Sequence, residues 1–270
     1  MAAIVTRIGH EDLVDDSGTT LTGSSAATNL PVTNLKDNFV AVPWRTTGDT
    51  DENVVIDFGS AKQVTAVGIF GHNLTSGATV TLQGNASDSW GTPTYSQALT
   101  IVTDSLSDVI PKICFFLDQT FRYFRLRLQD ASNPDTYIEI GRLWMGAYVT
   151  PTYNFDQGYT VEIVKPDQID RPDVGGQYGR QLPSYEVVSF GWSASGNPLP
   201  EADRLTMEAI YRKLGLTSPI LFVYDALNNP SKSAIYGYFD NGRLVRKHGG
   251  VTDYGTEGLT IREEVGWSYV

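Results

Sequence analysis

The chain has 270 residues, 20 Lys and Arg against 31 Asp and Glu, a formal charge of −11, and 41% hydrophobic residues. That apolar content supports packed cores and excludes general disorder, while the acidity speaks against wrapping nucleic acid, where Lys and Arg must displace counterions. No apolar run approaches the roughly 20 residues needed to span a bilayer, and a single Cys114 excludes an intrachain disulfide and a multi-cysteine zinc site.

In chain order, Met1 to His10 shows no apolar secretory core followed by a small-residue cleavage site. Ile4 to Ile8 is expected as a short apolar strand, and Ser17 to Thr28, rich in Ser, Thr and Gly, as an arm or irregular edge. The period then becomes two. Val54, Ile56 and Phe58 alternate with Val55 and Asp57. Val80 and Leu82 alternate with Thr79, Thr81 and Gln83. Phe124, Leu126 and Leu128 alternate with Arg125 and Arg127, and Ile138 and Ile140 flank Glu139. Each stretch predicts a strand with one buried and one wet face. Turn-rich breaks at 48–51, 84–88 and 132–135 separate them. Antiparallel sheets stacked as a sandwich bury such strands.

Thr150-Pro151-Thr152 is expected as a junction. Residues 166–183, rich in Pro, Gly and Asp, predict a long surface loop. Pro200 to Leu214 places Ala202, Leu205, Ala209, Ile210 and Leu214 at helical spacing. Pro200 suits the first helical position, Glu201 and Asp203 the positive end, Arg212 and Lys213 the other end, and Gly215 the stop. Leu259, Ile261, Val265 and Trp267 then fall on one strand parity. The expected fold is mainly β: an N-terminal strand and arm over 1–28, a β-sandwich over 29–148, and a β-rich domain over 149–270 carrying one helix at about 200–214.

Four groups are candidates for chemistry. Trp44-Arg45 suits a sugar face with an adjacent polar donor, or a buried Trp whose Arg pairs with a structural acid; the second is expected. His72-Asn73 suits ligand donors or a catalytic base, or a tight turn in which Asn bonds its own backbone; again the second is expected. Trp90, with Gly91 and Tyr95 in a turn-rich segment, is the best exposed aromatic, or else a flap over the sandwich edge. Asp49, Asp51 and Glu52 lack calcium-loop spacing, and a solvated loop is expected. His10, His72 and His248 lie far apart and form no metal pair, so neither metal nor cofactor is expected. Catalytic motifs fail: Gly191-Trp192-Ser193-Ala194-Ser195 lacks the last Gly of a nucleophile elbow, and Gly175-Gly176-Gln177-Tyr178-Gly179 is followed by no Gly-Lys-Ser/Thr. Glu263 and Glu264 are adjacent on a strand and point to opposite faces.

An ordered series runs through the first half: Asn34-Leu35, Trp44-Arg45, Val54-Val55-Ile56-Asp57-Phe58-Gly59, Val67-Gly68-Ile69-Phe70-Gly71-His72-Asn73-Leu74, Phe121 to Leu128 and Ile138 to Trp144. Over residues 29 to 146 this series resembles the discoidin-like (galactose-binding-like) jelly roll, in the variety found in bacteriophage tail and other virion proteins. Trp192, the helix, Ile220 to Tyr224 and Ile235 to Phe239 resemble the C-terminal β-rich halves of tail-tip and distal-tail-like proteins. The lone Cys departs from the terminal disulfide of secreted animal discoidin domains and fits a cytosol-assembled particle. The resemblance implies a non-enzymatic structural subunit of a bacteriophage virion, in the tail tip or baseplate. Its partners would be other tail proteins and copies of itself in a ring, with no nucleic acid and no membrane insertion. One rival is a carbohydrate-binding host-adhesion module, which calls for exposed aromatics clustered at one end of the jelly roll and a host-surface glycan as partner. The other is a glycan-degrading enzyme, which calls for two carboxyl groups about 5–10 Å apart in one cleft.

Overall fold

The computed structural model describes residues 4–102, 111–156, 158–171, 173, 175–193, 198–248 and 254–265. Of the residues named above, Met1, Ala194, Ser195 and Trp267 lie outside that set. The first half holds β1 (Arg7–Asp12), β2 (Thr20–Gly23), a 3-10 turn (Val32–Lys36), β3 (Trp44–Arg45), β4 (Glu52–His72), β5 (Thr79–Asn85), β6 (Tyr95–Leu99), β7 (Lys112–Gln129) and β8 (Glu139–Val149). The second holds β9 (Thr160–Val164), β10 (Gln168–Asp170), β11 (Tyr178–Arg180), β12 (Tyr185–Trp192), α1 (Glu201–Leu214), β13 (Ile220–Val223), β14 (Ala234–Phe239), β15 (Val245–His248) and β16 (Tyr254–Glu263).

Two long strands make the sandwich. β4 runs 21 residues and β7 runs 18, and they pair antiparallel along most of their length. Register breaks between Asp57 and Lys62, where Gly59 takes φ +72 and its N–H is accepted by the Asp57 carboxylate at 2.7 Å. Such a break bends both strands from one layer into the other. Before the bend, β4 and β7 are flanked by β2 on one side and β5 and β6 on the other; after it, β8 and β3 continue the sheet. The inward side chains of both layers, among them Val54, Ile56, Leu82, Phe124, Ile69, Ile140 and Leu143, meet in one core. The fold is therefore mainly β, with an antiparallel β-sandwich followed by a β-rich half carrying one α-helix among the described residues.

The second half packs β12, β13, β14 and β16 and the helix around Phe190, Trp192, Met207, Ile210, Phe222, Ile235 and Ile261. β1 joins the halves. Its Arg7–Gly9 segment pairs with β13, and Ile8 to Asp12 pairs with β8. A third cluster lines this seam, including Phe70 stacked on Tyr236 with centroids 5.3 Å apart, and the buried Cys114. Lys112 of β7 donates across it to Glu263 of β16 at 3.0 Å and Glu186 of β12 at 3.3 Å. Glu263 is buried on that ion pair, while Glu264 is half-buried.

Three local expectations need correction. The first strand is Arg7–Asp12 rather than 4–8, because pairing with β8 and β13 fixes its limits, and Ile4 is left exposed. The stretch 166–183 is not a bare loop: β10 and β11 pair as an antiparallel hairpin. The helix begins at Glu201 with Pro200 in the cap position, and it buries Met207, Ile210 and Leu214 while Leu205 is exposed. Those three sit at i, i+3 and i+7 and define the stripe facing the core. Glu208 joins that face only because Arg204 and Arg246 bind its carboxylate.

Candidate functional site

Trp44, Arg45, His72 and Asn73 converge at one corner, where β3 and the end of β4 flank the start of β8. Trp44 and His72 both lie opposite Ile140. Trp44 is 0% exposed, and its indole N–H donates to the Ser25 carbonyl at 2.9 Å. No ring face is open to a sugar. Arg45, the next residue, points outward, as strand alternation requires. Its guanidinium donates to Glu139 at 2.6 Å and lies 4.2 Å from the Tyr137 ring centroid. Gly71 takes φ +65 against Val40, so a side chain there would collide with the core. His72 is buried; its Nδ1 accepts the Leu74 N–H at 3.2 Å, and its Nε2 has no partner among the described residues. Burial pulls the imidazole pKa down to about 4, against the nearby Asp130 carboxylate. Asn73 does not bond its own backbone as expected but clamps β8: its amide donates to Asp135 and the Tyr137 carbonyl, each at 3.0 Å, and its Oδ1 accepts the Glu139 N–H at 2.7 Å, while the local turn bond falls to His72. Apart from His72 Nε2, the polar groups of this corner are satisfied by neighbouring strands, as a structural corner requires.

Trp90 lies elsewhere, on the outward face of the sandwich. The register sets Ser96, Gln83, Arg125, Val55 and Thr22 side by side across β6, β5, β7, β4 and β2. Asn85 shapes the β5–β6 loop by donating to the Ser89 carbonyl at 2.7 Å and accepting the Thr94 hydroxyl at 3.0 Å. Trp90 donates its indole N–H to Asp88 at 2.6 Å, and the Arg125 guanidinium lies 4.8 Å from its ring centroid. The indole is half-buried. Arg125 Nε donates to Gln83 at 2.8 Å. Neighbouring arginines are paired: Arg127, on the same face, binds Asp51 through two bonds of 2.6 and 2.8 Å, and Arg122, at the bend, binds Asp57 through two of 2.8 and 2.9 Å. These bonds hold the Asp51 and Asp57 carboxyls below the usual range. Desolvation, then the adjacent Arg127, lowers the Arg125 pKa from its ordinary value. Tyr95 does not join Trp90. It stands opposite Gly84 and packs, partly buried, against the core.

The acids listed with the 48–51 turn disperse. Asp51 serves Arg127, Glu52 accepts the Ser24 and Ser25 hydroxyls, and Asp49 accepts the Thr50 hydroxyl at 3.3 Å. Among the described residues no three metal-binding side chains gather. A cleft of about 430 Å³ between β1 and the C-terminal end of α1 carries Glu11, Asp12, Asp15 and Asp16. Glu11 is bound by Lys213 at 2.7 Å, and Asp12 and Asp15 share one nitrogen of the fully buried Arg142, at 2.7 and 2.6 Å. Burial pushes the Asp12 carboxyl up to about 7, against the pull of Arg142. Carboxylates held this way brace β1.

The structure sets Arg125 beside Trp90 and Gln83 beside Arg125, neighbours that sequence reasoning did not name. The available signal was the outward parity of Arg125 and Arg127 against Phe124, Leu126 and Leu128. No family model matches the sequence, and no curated protein matches it. Several solved structures share a partial likeness. Chitosan-binding module 1 of a chitosanase/glucanase from Paenibacillus sp. IK-5 is 21% identical, covering 51% of this chain and 100% of the module, with a TM-score of 0.38. A fucose-binding module of Streptococcus pneumoniae is 12% identical, covering 52% and 99%, with a TM-score of 0.39. A family 32 carbohydrate-binding module of C. perfringens in complex with galactose is 12% identical, covering 53% and 99%, with a TM-score of 0.38.

Proposed function

We propose that the chain is a non-catalytic glycan-binding protein and that the outward face beneath Trp90 is its binding surface. The observation that carries this reading is the half-exposed indole, fixed by Asp88 on one edge and stacked on Arg125. The ring face away from Arg125 is flat and apolar, which suits the C–H face of a sugar. Around it, Asp88 and the Arg127–Asp51 pair supply planar donors and acceptors for hydroxyls, while the buried Gln83 holds Arg125 from beneath. Each is held by a neighbour, so little side-chain freedom is lost when a ligand arrives. Titration calorimetry with neutral and charged oligosaccharides tests the reading. Trp90→Ala should weaken binding at least about tenfold, within the 1–3 kcal/mol range of a stacking contact, and leave the melting temperature unchanged. Unaltered binding by Trp90→Ala would remove this face from consideration.

A second reading keeps the setting implied by the sequence resemblance: a bacteriophage tail subunit, assembled in the host cytoplasm from copies of itself. One observation favours it. β9 ends the path of paired strands, and on it Val161 is 37% and Ile163 69% exposed. The following hairpin exposes Ile169 and Tyr178. Edge strands bearing apolar side chains are usually covered or blunted. Analytical ultracentrifugation should then find a closed oligomer. A monomer at all concentrations, unaffected by Ile163→Lys, would count against assembly through this edge.

A further inference from the structure

We infer that the sugar taken at the Trp90 face is acidic, carrying a carboxylate or sulfate that Arg125 receives; this inference rests on the glycan-binding reading above. Three arginines project from the outward parity of β7 or its bend, and two are neutralised. Arg122 and Arg127 each spend two nitrogens on a single aspartate. Arg125 spends only Nε, on the neutral Gln83, and its Nη nitrogens have no hydrogen-bond partner among the described residues. Asp88 is the remaining acid at the face. It accepts the Trp90 N–H and makes no ion pair with Arg125 within 4 Å. A guanidinium offers paired donors matched to the two oxygens of an oxyacid group. Here that fork is rigid, pinned by Gln83 on one side and by the indole on another. Stacking on the indole covers one face of the guanidinium with apolar surface, so some of the cost of stripping its water is already met before a ligand binds. Salt screens the field of the chain's net charge of −11 beyond about 10 Å at 0.1 M, so an anionic ligand at this face responds mainly to the charges close to it. Contact is therefore decided locally, by an arginine that makes no ion pair and has Asp51 and Asp88 as its nearest acidic influences.

The experiment compares three oligosaccharides of equal length with the full chain: an oligogalacturonate, a heparin-derived sulfated fragment and a neutral chito-oligosaccharide. The expected result is that one or both acidic ligands bind about 10- to 100-fold tighter than the neutral one, as a charged hydrogen-bond pair supplies. Arg125→Gln should erase that preference, bringing the acidic and neutral affinities of the variant within about twofold of each other, while Arg125→Lys should keep part of it. Preference for the carboxylated over the sulfated ligand, or the reverse, identifies the oxyacid. Equal affinities in the unmodified protein overturn the inference without need of any variant, and so does a preference that survives Arg125→Gln. Neutral binding that depends on Trp90 with no acidic preference would leave the glycan-binding reading standing alone. No binding of any of the three overturns both.

Discussion

Two tryptophan–arginine sites sit on the same sandwich and behave oppositely. Trp44 is sealed in the core and Arg45 is turned outward onto Glu139 and Tyr137. Trp90 and Arg125 are stacked on one another at the surface, and the arginine keeps unengaged nitrogens. The difference comes from backbone placement. Trp44 and Arg45 are consecutive in a strand, so alternation must part them. Trp90 is in a hairpin loop free to fold over a strand face, where it meets a residue of outward parity. Residue type alone does not tell a binding surface from a structural corner; the burial of the indole and the pairing of the arginine do.

The sharpest way to break this comparison is to truncate both rings. Trp44→Ala removes a fully buried aromatic whose N–H is also satisfied. The expected cost is about 3–5 kcal/mol, a large share of the ~5–15 kcal/mol that holds a typical domain together. Denaturant titration measures it. A midpoint equal to that of the unmodified protein would mean that Trp44 is not a core residue and that the two sites are alike.

The next largest effect concerns His72, opposite the same Ile140 as Trp44. Burial holds its folded pKa at about 4 against an ordinary value of 6.5. Between those values the unfolded chain binds the proton and the folded one does not. Stability from His72 is therefore fully present above pH 6.5 and is lost as pH falls toward 4. At about 1.4 kcal/mol per unit, the loss is on the order of 3 kcal/mol. His72→Gln should flatten the pH dependence of stability in that window. An identical slope in the variant would show that other groups govern it.

How much of this was legible in the sequence follows from which contacts are local. Alternation at Val54–Phe58 and Phe124–Leu128 exposed the sandwich, and the turn chemistry of Gly71-His72-Asn73-Leu74 pointed to a structural corner. Nothing local marks β1 as the strand that joins the halves, because its partners in β8 and β13 are distant in the chain. Arg142 and Lys112 look like surface residues in a sequence; only their acids, drawn from other strands, make burial tolerable. The three-residue strands β10 and β11 are too short to show a period. The meeting of Trp90 and Arg125 depends on how one loop folds over one strand, which no spacing rule encodes.

A fragment test sharpens the comparison in another way. Both tryptophan sites belong to the first half, whose core is distinct from that around Trp192. We propose that residues 1–148 fold alone and keep the Trp90 surface. The fragment should be less stable than the whole chain, since β1 loses β13 and Lys112 loses Glu263 and Glu186. Circular dichroism should still show a cooperative β unfolding transition. A fragment without one would place the seam inside a single folding unit and would refute the boundary near 150.

The smallest effect is expected at Arg45, and it separates the two arginines. Its ion pair with Glu139 is partly solvent-exposed, at 36% and 22% for the two side chains. Such pairs contribute about 0–1 kcal/mol, and the guanidinium over Tyr137 adds about 0.5–1 kcal/mol at an exposed site. Arg45→Gln keeps much of the stem's packing, so the denaturant midpoint should move little. Glycan affinity should not move at all, because Arg45 pairs with β8 at the Trp44 corner while the proposed surface spans β4, β5 and β7. Arg125→Gln should show the reverse, with the preference for acidic glycans lost and the midpoint nearly unchanged. A loss of affinity on Arg45→Gln would move the binding surface to the Trp44 corner, and a stability loss above about 2 kcal/mol would make that arginine part of the core's support.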